Sequence, residues 1–216
     1  MIITRLEPYA KGRVAVYLND EFAFVLYKGE LSKYGLENGV ELNEQLYREI
    51  LENTLFMRAR KRGMNLLLKM DRTVKDVSDK LTEGGYPVEA VHDAIEYLKS
   101  YHYLDDRRYA VEYIRSKQSS LSRKVILHKL SEKGVPGEII EDAYAEIVED
   151  NDSYGSEFDE VSNPEIALIR KLMRKKCNNI SSIEYEDKQK LFSYLARKGF
   201  AISDIEIVFR QEQDIT

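Results

Sequence analysis

The stretch Lys80-Leu81-Thr82-Glu83-Gly84-Gly85-Tyr86 decides the fold, because the chain repeats its pattern twice more. The second copy is residues 129–135, KLSEKGV, and the third is residues 194–200, YLARKGF. Each copy places a leucine ahead of a glycine and a bulky apolar residue directly after that glycine. This order is typical of a helix that ends at a left-handed glycine, with the next apolar side chain packed against its last turn. We therefore predict a series of related helical units.

An amphipathic stretch follows each copy, so we expect a second helix after each glycine. The apolar positions have helical spacing: they are Val88, Val91, Ala94 and Ile95, then Ile139, Ile140, Ala143 and Tyr144, then Ile205, Val208 and Phe209. Because one helix pair leaves apolar surface exposed, each unit needs about three helices. The predicted fold class is mostly α, with tandem three-helix repeats that form an elongated curved array after a small antiparallel β region.

The β region is predicted from the N-terminal residues. Two runs rich in β-branched and aromatic residues, 14–18 and 22–27, flank the short turn Asn19-Asp20-Glu21, which is typical of a hairpin. The glycines in Lys28-Gly29-Glu30 and in residues 34–39 indicate connecting turns. We therefore expect a small antiparallel sheet followed by turns.

Beyond Val40 the apolar period becomes helical. Asn43 is expected to cap a long helix, and Thr73 is expected to begin the next helix with a capping box. From Glu138 to Glu165 there are eleven acidic residues and no Lys or Arg, so a solvated loop is expected there, beginning near Asp150. The predicted segments are a β extension (1–42), a long helix with the first repeat (43–104), a second repeat (105–150), an acidic loop (151–164) and a third repeat (165–216).

Composition excludes several classes of protein. The single Cys177 cannot form an internal disulfide, and the three histidines lack ligand spacing, so neither a disulfide framework nor a metal site is expected. No leader and no apolar run of the ~18 residues needed to cross a bilayer is recognisable. There is also no glycine-rich phosphate loop. We expect a cytoplasmic monomer without cofactors or catalytic residues.

Leu104-Asp105-Asp106-Arg107-Arg108-Tyr109-Ala110 is the sharpest local motif outside the repeats. Its paired carboxylates allow the hypothesis of a carboxylate–metal enzyme. Adjacent side chains at a helix start do not generally converge on one ion. With Asp105 as N-cap, Asp106 faces the positive end of the helix dipole, so capping explains more of the motif.

Basic residues form three clusters at related positions of the repeats, despite a net charge of −5. A shared positive face would suit a phosphate backbone or an acidic protein surface, whereas the alternative is solvated helix faces with ordinary ion pairs. The candidate partner-binding or nucleic-acid-binding residues are Arg58, Arg60, Lys61 and Arg62 in the first cluster, Arg115, Lys117, Arg123, Lys124, Lys129 and Lys133 in the second, and Arg170, Lys171, Arg174, Lys175 and Lys176 in the third.

The ordered combination of these motifs resembles the RecX family of RecA regulators. The resemblance rests on residues 104–110, on Tyr113-Ile114-Arg115-Ser116-Lys117, on the apolar and basic pattern of residues 126–135, and on the closing residues 195–200. It covers roughly residues 59 to 210. The acidic insertion before the third unit departs from the family pattern.

The resemblance implies three tandem three-helix units and a partner, the RecA nucleoprotein filament on single-stranded DNA. The expected function is non-enzymatic modulation of RecA in recombination and DNA repair. The second three-helix repeat is expected to make the contacts, and DNA is a candidate direct partner. The alternative is a stand-alone nucleic-acid-binding module that uses the same basic residues.

Overall fold

The structure, a computed structural model, describes residues 1–153, 163–177 and 183–214 of the chain. The chain divides into two units, Met1–Asp105 and Asp106–Thr216. The first unit contains the sheet and one three-helix domain, and the second unit contains two further three-helix domains. The predicted helical class with a small N-terminal sheet is confirmed.

Three antiparallel strands form the sheet in the order β1 (Ile3–Ala10), β2 (Arg13–Leu18) and β3 (Glu21–Tyr27). Asn19 and Asp20 connect β2 to β3, and both have positive φ, 49° and 69°. Two left-handed residues define the type I′ turn, whose twist matches that of the flanking strands, and Asn and Asp tolerate that conformation.

The turn predicted at residues 28–30 was wrong, because Lys28–Tyr34 forms helix α1. The Glu30 carboxylate accepts a hydrogen bond from the Tyr27 backbone N–H at 2.7 Å, which satisfies a donor at the helix start. Gly35, with φ of 62°, ends the helix in the left-handed region.

The predicted long helix runs from Glu44 to Leu67 in three parts. Helix α2 (Glu44–Ile50) begins at Asn43, whose side chain accepts from the Leu46 N–H at 2.8 Å. A π-helical segment, Leu51–Phe56, leads into α3 (Met57–Leu67). The buried Thr54 hydroxyl lies 2.8 Å from the Tyr34 hydroxyl, so a tertiary hydrogen bond accompanies the wider π turn.

The remaining helices complete three domains of three helices each. The first domain contains α3, α4 (Val74–Thr82) and α5 (Val88–Ser100). The second contains α6 (Asp106–Lys117), α7 (Arg123–Glu132) and α8 (Gly137–Ser153). The third contains α9 (Pro164–Lys176), α10 (Tyr185–Arg197) and α11 (Ile202–Asp214).

The repeated phrase forms the same helix end in each domain, as predicted. The glycines at 85, 134 and 199 have φ of 82°, 79° and 89°. The next residue donates its N–H to the repeat leucine carbonyl at 3.1 to 3.4 Å, which is the outer hydrogen bond of a Schellman motif. Leu81, Leu130 and Leu195 are each fully buried. Each domain therefore anchors its middle helix with the same local device.

The N-terminal sheet docks on the first three-helix domain through the turn between α4 and α5. The Val25 N–H donates to the Gly85 carbonyl at 3.0 Å, and the Tyr9 hydroxyl donates to the Glu83 carbonyl at 2.6 Å. One apolar core, which includes Phe24, joins the sheet to the helices. The sheet and the first domain therefore share one core.

The start of the predicted acidic loop is helical, because α8 continues to Ser153. The last residue of the predicted loop, Pro164, belongs to α9, and residues 154–162 lie outside the described residues. The second and third domains have separate apolar cores, centred on Leu130 and Leu195.

Candidate functional site

The start of α7 in the second domain lies against the end of α10 in the third. Ser122, which is 1% exposed, precedes α7 with extended backbone angles but does not cap it with its own side chain. Its hydroxyl instead donates to the Lys198 carbonyl at 2.8 Å. A β-carbon on Gly199 would lie 2.8 Å from this hydroxyl oxygen, so only glycine fits at the contact. This contact fixes the two domains at their helix ends.

Glu165 of α9 replaces Ser122 as the cap of α7. Its carboxylate accepts from the Arg123 backbone N–H at 2.8 Å, and a negative charge at a helix start is favourable. Burial raises the pKa of Glu165, and the hydrogen bond from Arg123 opposes that rise. Burial at the junction therefore disfavours the ionised form of the Glu165 carboxyl group.

The Arg123 side chain also belongs to this junction. Its guanidinium lies 2.7 Å from the Glu141 carboxylate and 4.5 Å from the centroid of the Tyr144 ring. The Tyr144 hydroxyl oxygen is buried and has no hydrogen-bond partner among the described residues, and burial raises its pKa to about 12. Arg123, one of the predicted contact residues, therefore packs between two helices of the second domain.

The domain contact places a lysine of the second domain beside the end of α10. The β-carbon position of Gly199 is 3.6 Å from the Lys124 β-carbon, which places Lys124 beside the end of α10. The ammonium groups of Lys198 and Lys176 lie 5.4 and 5.2 Å from the centroid of the Tyr194 ring. Cations at this distance from an aromatic face are attracted by the ring quadrupole.

A cleft of about 470 Å³ extends this surface between α9 and α10. Its charged lining residues are Lys176, Asp187, Lys190 and Arg197, and the Lys190 ammonium lies 2.9 Å from the Asp187 carboxylate. We define the junction surface as five cations: Lys176, Lys190, Arg197 and Lys198, which lie around Tyr194, and Lys124, whose β-carbon lies beside Gly199 at the end of α10. One carboxylate, Asp187, lines the same cleft, so an anionic partner fits this surface.

The other second-domain candidates divide into paired and unpaired cations. Arg115 lies 3.8 Å from the Glu112 carboxylate, and the Lys133 ammonium lies 5.8 Å from the Tyr109 ring centroid. Lys117, Lys124 and Lys129 are exposed and form no ion pair within the described part of the chain. These three lysines are therefore available to a partner.

The third-domain cluster divides in the same way. Arg170 and Arg174 both lie 3.0 Å from the Glu212 carboxylate on α11, and the side chains of Arg170 and Glu212 are only 12% and 11% exposed. Lys171, Lys175 and Lys176 are exposed. The two arginines therefore stabilise the domain, and the three lysines face solvent.

In the first cluster, Arg58 and Arg60 hold the first unit together. Arg58 donates to Glu30 at 2.7 Å, and Arg60 donates to both oxygens of Asp93 at 2.7 and 2.6 Å. Lys61 and Arg62 are exposed on α3. The residues of the first cluster belong to the first unit, whereas the junction surface belongs to the second unit.

Sequence reasoning missed Lys190, Arg197 and Lys198. The signal for two of them was present, because Arg197 and Lys198 belong to the third copy of the repeated phrase. Lys198 occupies the position of Lys133 in the second copy. Lys190 carried no such signal, since its place in the cleft depends on how α9 packs against α10.

The Asp105–Asp106 pair lies at the start of α6, which begins at Asp106, where the capping interpretation placed it. Within the ranges 1–153, 163–177 and 183–214, no three His, Cys, Asp or Glu side chains form a group able to hold a metal ion. In the same ranges, no helix has the length and apolar character of a membrane span.

Fold and surface together define a helical-repeat protein with an exposed cationic face. Family models match residues 105–143 as the second three-helix domain of RecX and residues 164–209 as the third. The regulatory protein RecX of Caldanaerobacter subterraneus subsp. tengcongensis is 31% identical over 208 residues, which cover 95% of this chain and 97% of that protein. The chain belongs to the RecX family of regulatory proteins.

Other relatives and solved structures are similar to this chain over three quarters of its length or more. The regulatory protein RecX of Clostridium acetobutylicum is 28% identical over 214 residues, 97% of this chain and 95% of its own. A crystal structure of a regulatory protein RecX is 27% identical, with a TM-score of 0.60 over 96% of this chain and 98% of that one. RecX from Lactobacillus salivarius is 26% identical, with a TM-score of 0.58 over 75% and 98% of the two chains.

Proposed function

We propose that this chain regulates a RecA recombinase by binding the RecA filament on single-stranded DNA through the junction surface. Family membership supports a regulatory role, and the cationic surface supports an anionic partner, which in the filament is phosphate backbone or acidic protein. The observation that carries the proposal is the Ser122–Lys198 hydrogen bond, because it joins the start of α7, which carries Lys124, to the end of α10, which carries Lys198. In this proposal the protein acts in the cytoplasm as a monomer and without catalysis.

A rigid surface suits this function for an energetic reason. Binding costs free energy for every side chain and domain that must be ordered, so a junction fixed in advance lowers that cost. Lys176 and Lys198 are already held beside Tyr194, and the Lys124 β-carbon lies beside the end of α10. Several such contacts along a filament add through effective concentration.

The test is a charge reversal at two lysines of the junction surface, Lys124→Glu with Lys198→Glu. RecA-dependent ATP hydrolysis on single-stranded DNA is measured while each protein is titrated at fixed salt. The variant is expected to need about tenfold more protein for the same change in rate, which corresponds to about 1.4 kcal/mol. The matched control is Lys11→Glu with Lys28→Glu, which changes the net charge equally at two exposed lysines of the first unit that belong to neither cationic cluster.

Equal titration curves for the wild-type protein and the Lys124/Lys198 variant would refute the role of the junction surface. No effect of wild-type protein on RecA, together with tight binding to bare single-stranded DNA, would favour the stand-alone nucleic-acid-binding function. Binding through five phosphate contacts would then weaken with salt with a log–log slope of about −3.5.

A further inference from the structure

The first unit carries a stack of three tyrosines that the junction surface does not use. The ring centroids of Tyr97 and Tyr101 are 4.8 Å apart, and those of Tyr101 and Tyr103 are 6.0 Å apart with 15° between the ring planes. The Arg60 guanidinium lies 4.9 Å from the Tyr97 ring centroid and closes one end of the stack. We call Tyr97, Tyr101 and Tyr103 the tyrosine ladder.

The Tyr101 and Tyr103 rings are exposed, although hydrogen bonds fix the backbone that carries them. Tyr101 is 58% exposed and Tyr103 is 51% exposed. The Tyr103 N–H donates to the Leu98 carbonyl at 2.9 Å, and His102 between the tyrosines has φ of +56°. Leu104, which is 2% exposed, anchors the turn in the core.

Helix stability explains only part of this arrangement. Tyr97 and Tyr101 are four residues apart on α5, and aromatic pairs at that spacing stabilise helices. Tyr103 lies beyond the helix end, where the left-handed His102 turns the chain and brings its ring beside Tyr101. Helical spacing therefore accounts for the Tyr97–Tyr101 pair but not for the stacking of Tyr103 on Tyr101.

The charge of the neighbouring helix identifies the chemistry of a ligand. Helix α3 packs against α5, because a β-carbon at Gly63 would lie 2.7 Å from the Leu98 side chain. Residues 58–72, which contain most of α3 and the loop after it, include one acidic residue, Asp71, and six basic ones. The basic residues are Arg58, Arg60, Lys61, Arg62, Lys69 and Arg72. Arg58 and Arg60 are paired with Glu30 and Asp93, and the other four basic residues keep the segment positively charged. An exposed aromatic stack next to such a segment suits a polyanion with flat apolar groups.

We propose that the tyrosine ladder is a stacking site for the bases of single-stranded nucleic acid. Bases stack on exposed aromatic rings largely independently of sequence, while nearby cations attract the backbone. The ladder presents rings that are already aligned, so little order is lost on binding. The inference uses none of the junction-surface residues and stands whether or not the chain regulates a recombinase.

The test separates base stacking from backbone attraction. Binding of a short oligothymidylate and of an abasic oligomer of equal length is measured by anisotropy at fixed salt. Stacking contributes about 1–3 kcal/mol per base, so the wild-type protein is expected to prefer the oligothymidylate by at least about fivefold. Tyr101→Leu with Tyr103→Leu is expected to abolish that preference, whereas Tyr101→Phe with Tyr103→Phe is expected to keep it.

Controls make each result decisive. Tyr185→Leu removes a tyrosine that is 75% exposed on α10, outside the ladder, and is expected to leave the preference unchanged. Tyr103→Leu alone, at a ring beyond the helix end, is expected to lower the preference with unchanged helicity. The proposal is overturned if wild-type protein binds both oligomers equally, if the leucine variants retain the preference, or if the phenylalanine variant loses it.

Discussion

Replacing Gly85 with alanine tests how the N-terminal sheet is attached to the first helical domain. Gly85 has φ of +82°, and a β-carbon there would lie 2.2 Å from Val25 Cγ2 and 2.9 Å from Val25 Cβ. Val25 is 1% exposed and lies in the middle of β3, so it has little room to move. The substitution therefore adds a steric clash to backbone strain.

Gly12 supplies the matched control in the same unit. Its φ is +76°, and a β-carbon there would meet no atom within 4 Å. Both alanine variants incur the left-handed strain of about 1–2 kcal/mol and both gain from a less flexible unfolded chain. Only Gly85→Ala adds overpacking, which costs about 1–3 kcal/mol. We expect Gly85→Ala to be about 2 kcal/mol less stable than Gly12→Ala.

Urea unfolding followed by far-ultraviolet circular dichroism measures this difference. With a slope of about 1–3 kcal/mol per molar urea, the midpoint of Gly85→Ala is expected to lie about 1 M below that of Gly12→Ala. Adding Val25→Ala should reduce the penalty of Gly85→Ala, because it removes the nearer of the two atoms in the clash. Equal midpoints for the two glycine variants would refute the docking of β3 against the α4–α5 turn.

Further predictions concern the contact between the second and third domains. Ser122→Ala is expected to cost about 1 kcal/mol in urea unfolding through loss of the hydrogen bond to Lys198. Glu165→Ala is expected to cost about 1 kcal/mol because it uncaps α7; Glu165→Gln keeps an acceptor and is the control. Because the folded pKa of Glu165 is raised, its favourable contribution is greatest at acid pH and is lost as pH rises through that pKa. The stability of Glu165→Gln relative to wild type should therefore increase as pH rises through the raised pKa of Glu165, and a constant difference would contradict this reasoning. Tyr144→Phe removes a buried unpartnered hydroxyl and is expected to stabilise the protein by about 1 kcal/mol; a loss of stability would show that the hydroxyl has a partner in solution.

The repeated helix ends were predictable from sequence because a Schellman motif is local. A leucine, a left-handed glycine and the next apolar residue lie within six positions, and their hydrogen bonds join neighbours in the chain. Helix α1 was not predictable in this way. Its glycine resembled a turn signal, and its stability depends on the Glu30 side chain and on the distant contact between Tyr34 and Thr54.

The basic clusters show why the candidate site was only partly predictable. Sequence identified where cations are abundant, but whether each one is free depends on its distant neighbours. Arg58 pairs with Glu30, 28 positions away, and Arg170 and Arg174 pair with Glu212 on another helix. Lys198 was overlooked because its role follows from the contact of its own carbonyl with Ser122.

The distribution of ion pairs also reconciles a net charge of −5 with an anion-binding function. Several arginines are used inside domains, where their planar guanidinium groups bind carboxylates with two donors, as Arg60 binds Asp93. Lysines are left at the surface, where a compact hydrated ammonium attracts phosphate without fixed geometry. A partner then experiences the local field of the junction surface more than the total charge, since charges beyond about 8 Å are screened at physiological salt. Substituting Arg for Lys at Lys124 or Lys198 should therefore preserve binding, whereas reversing their charge should not.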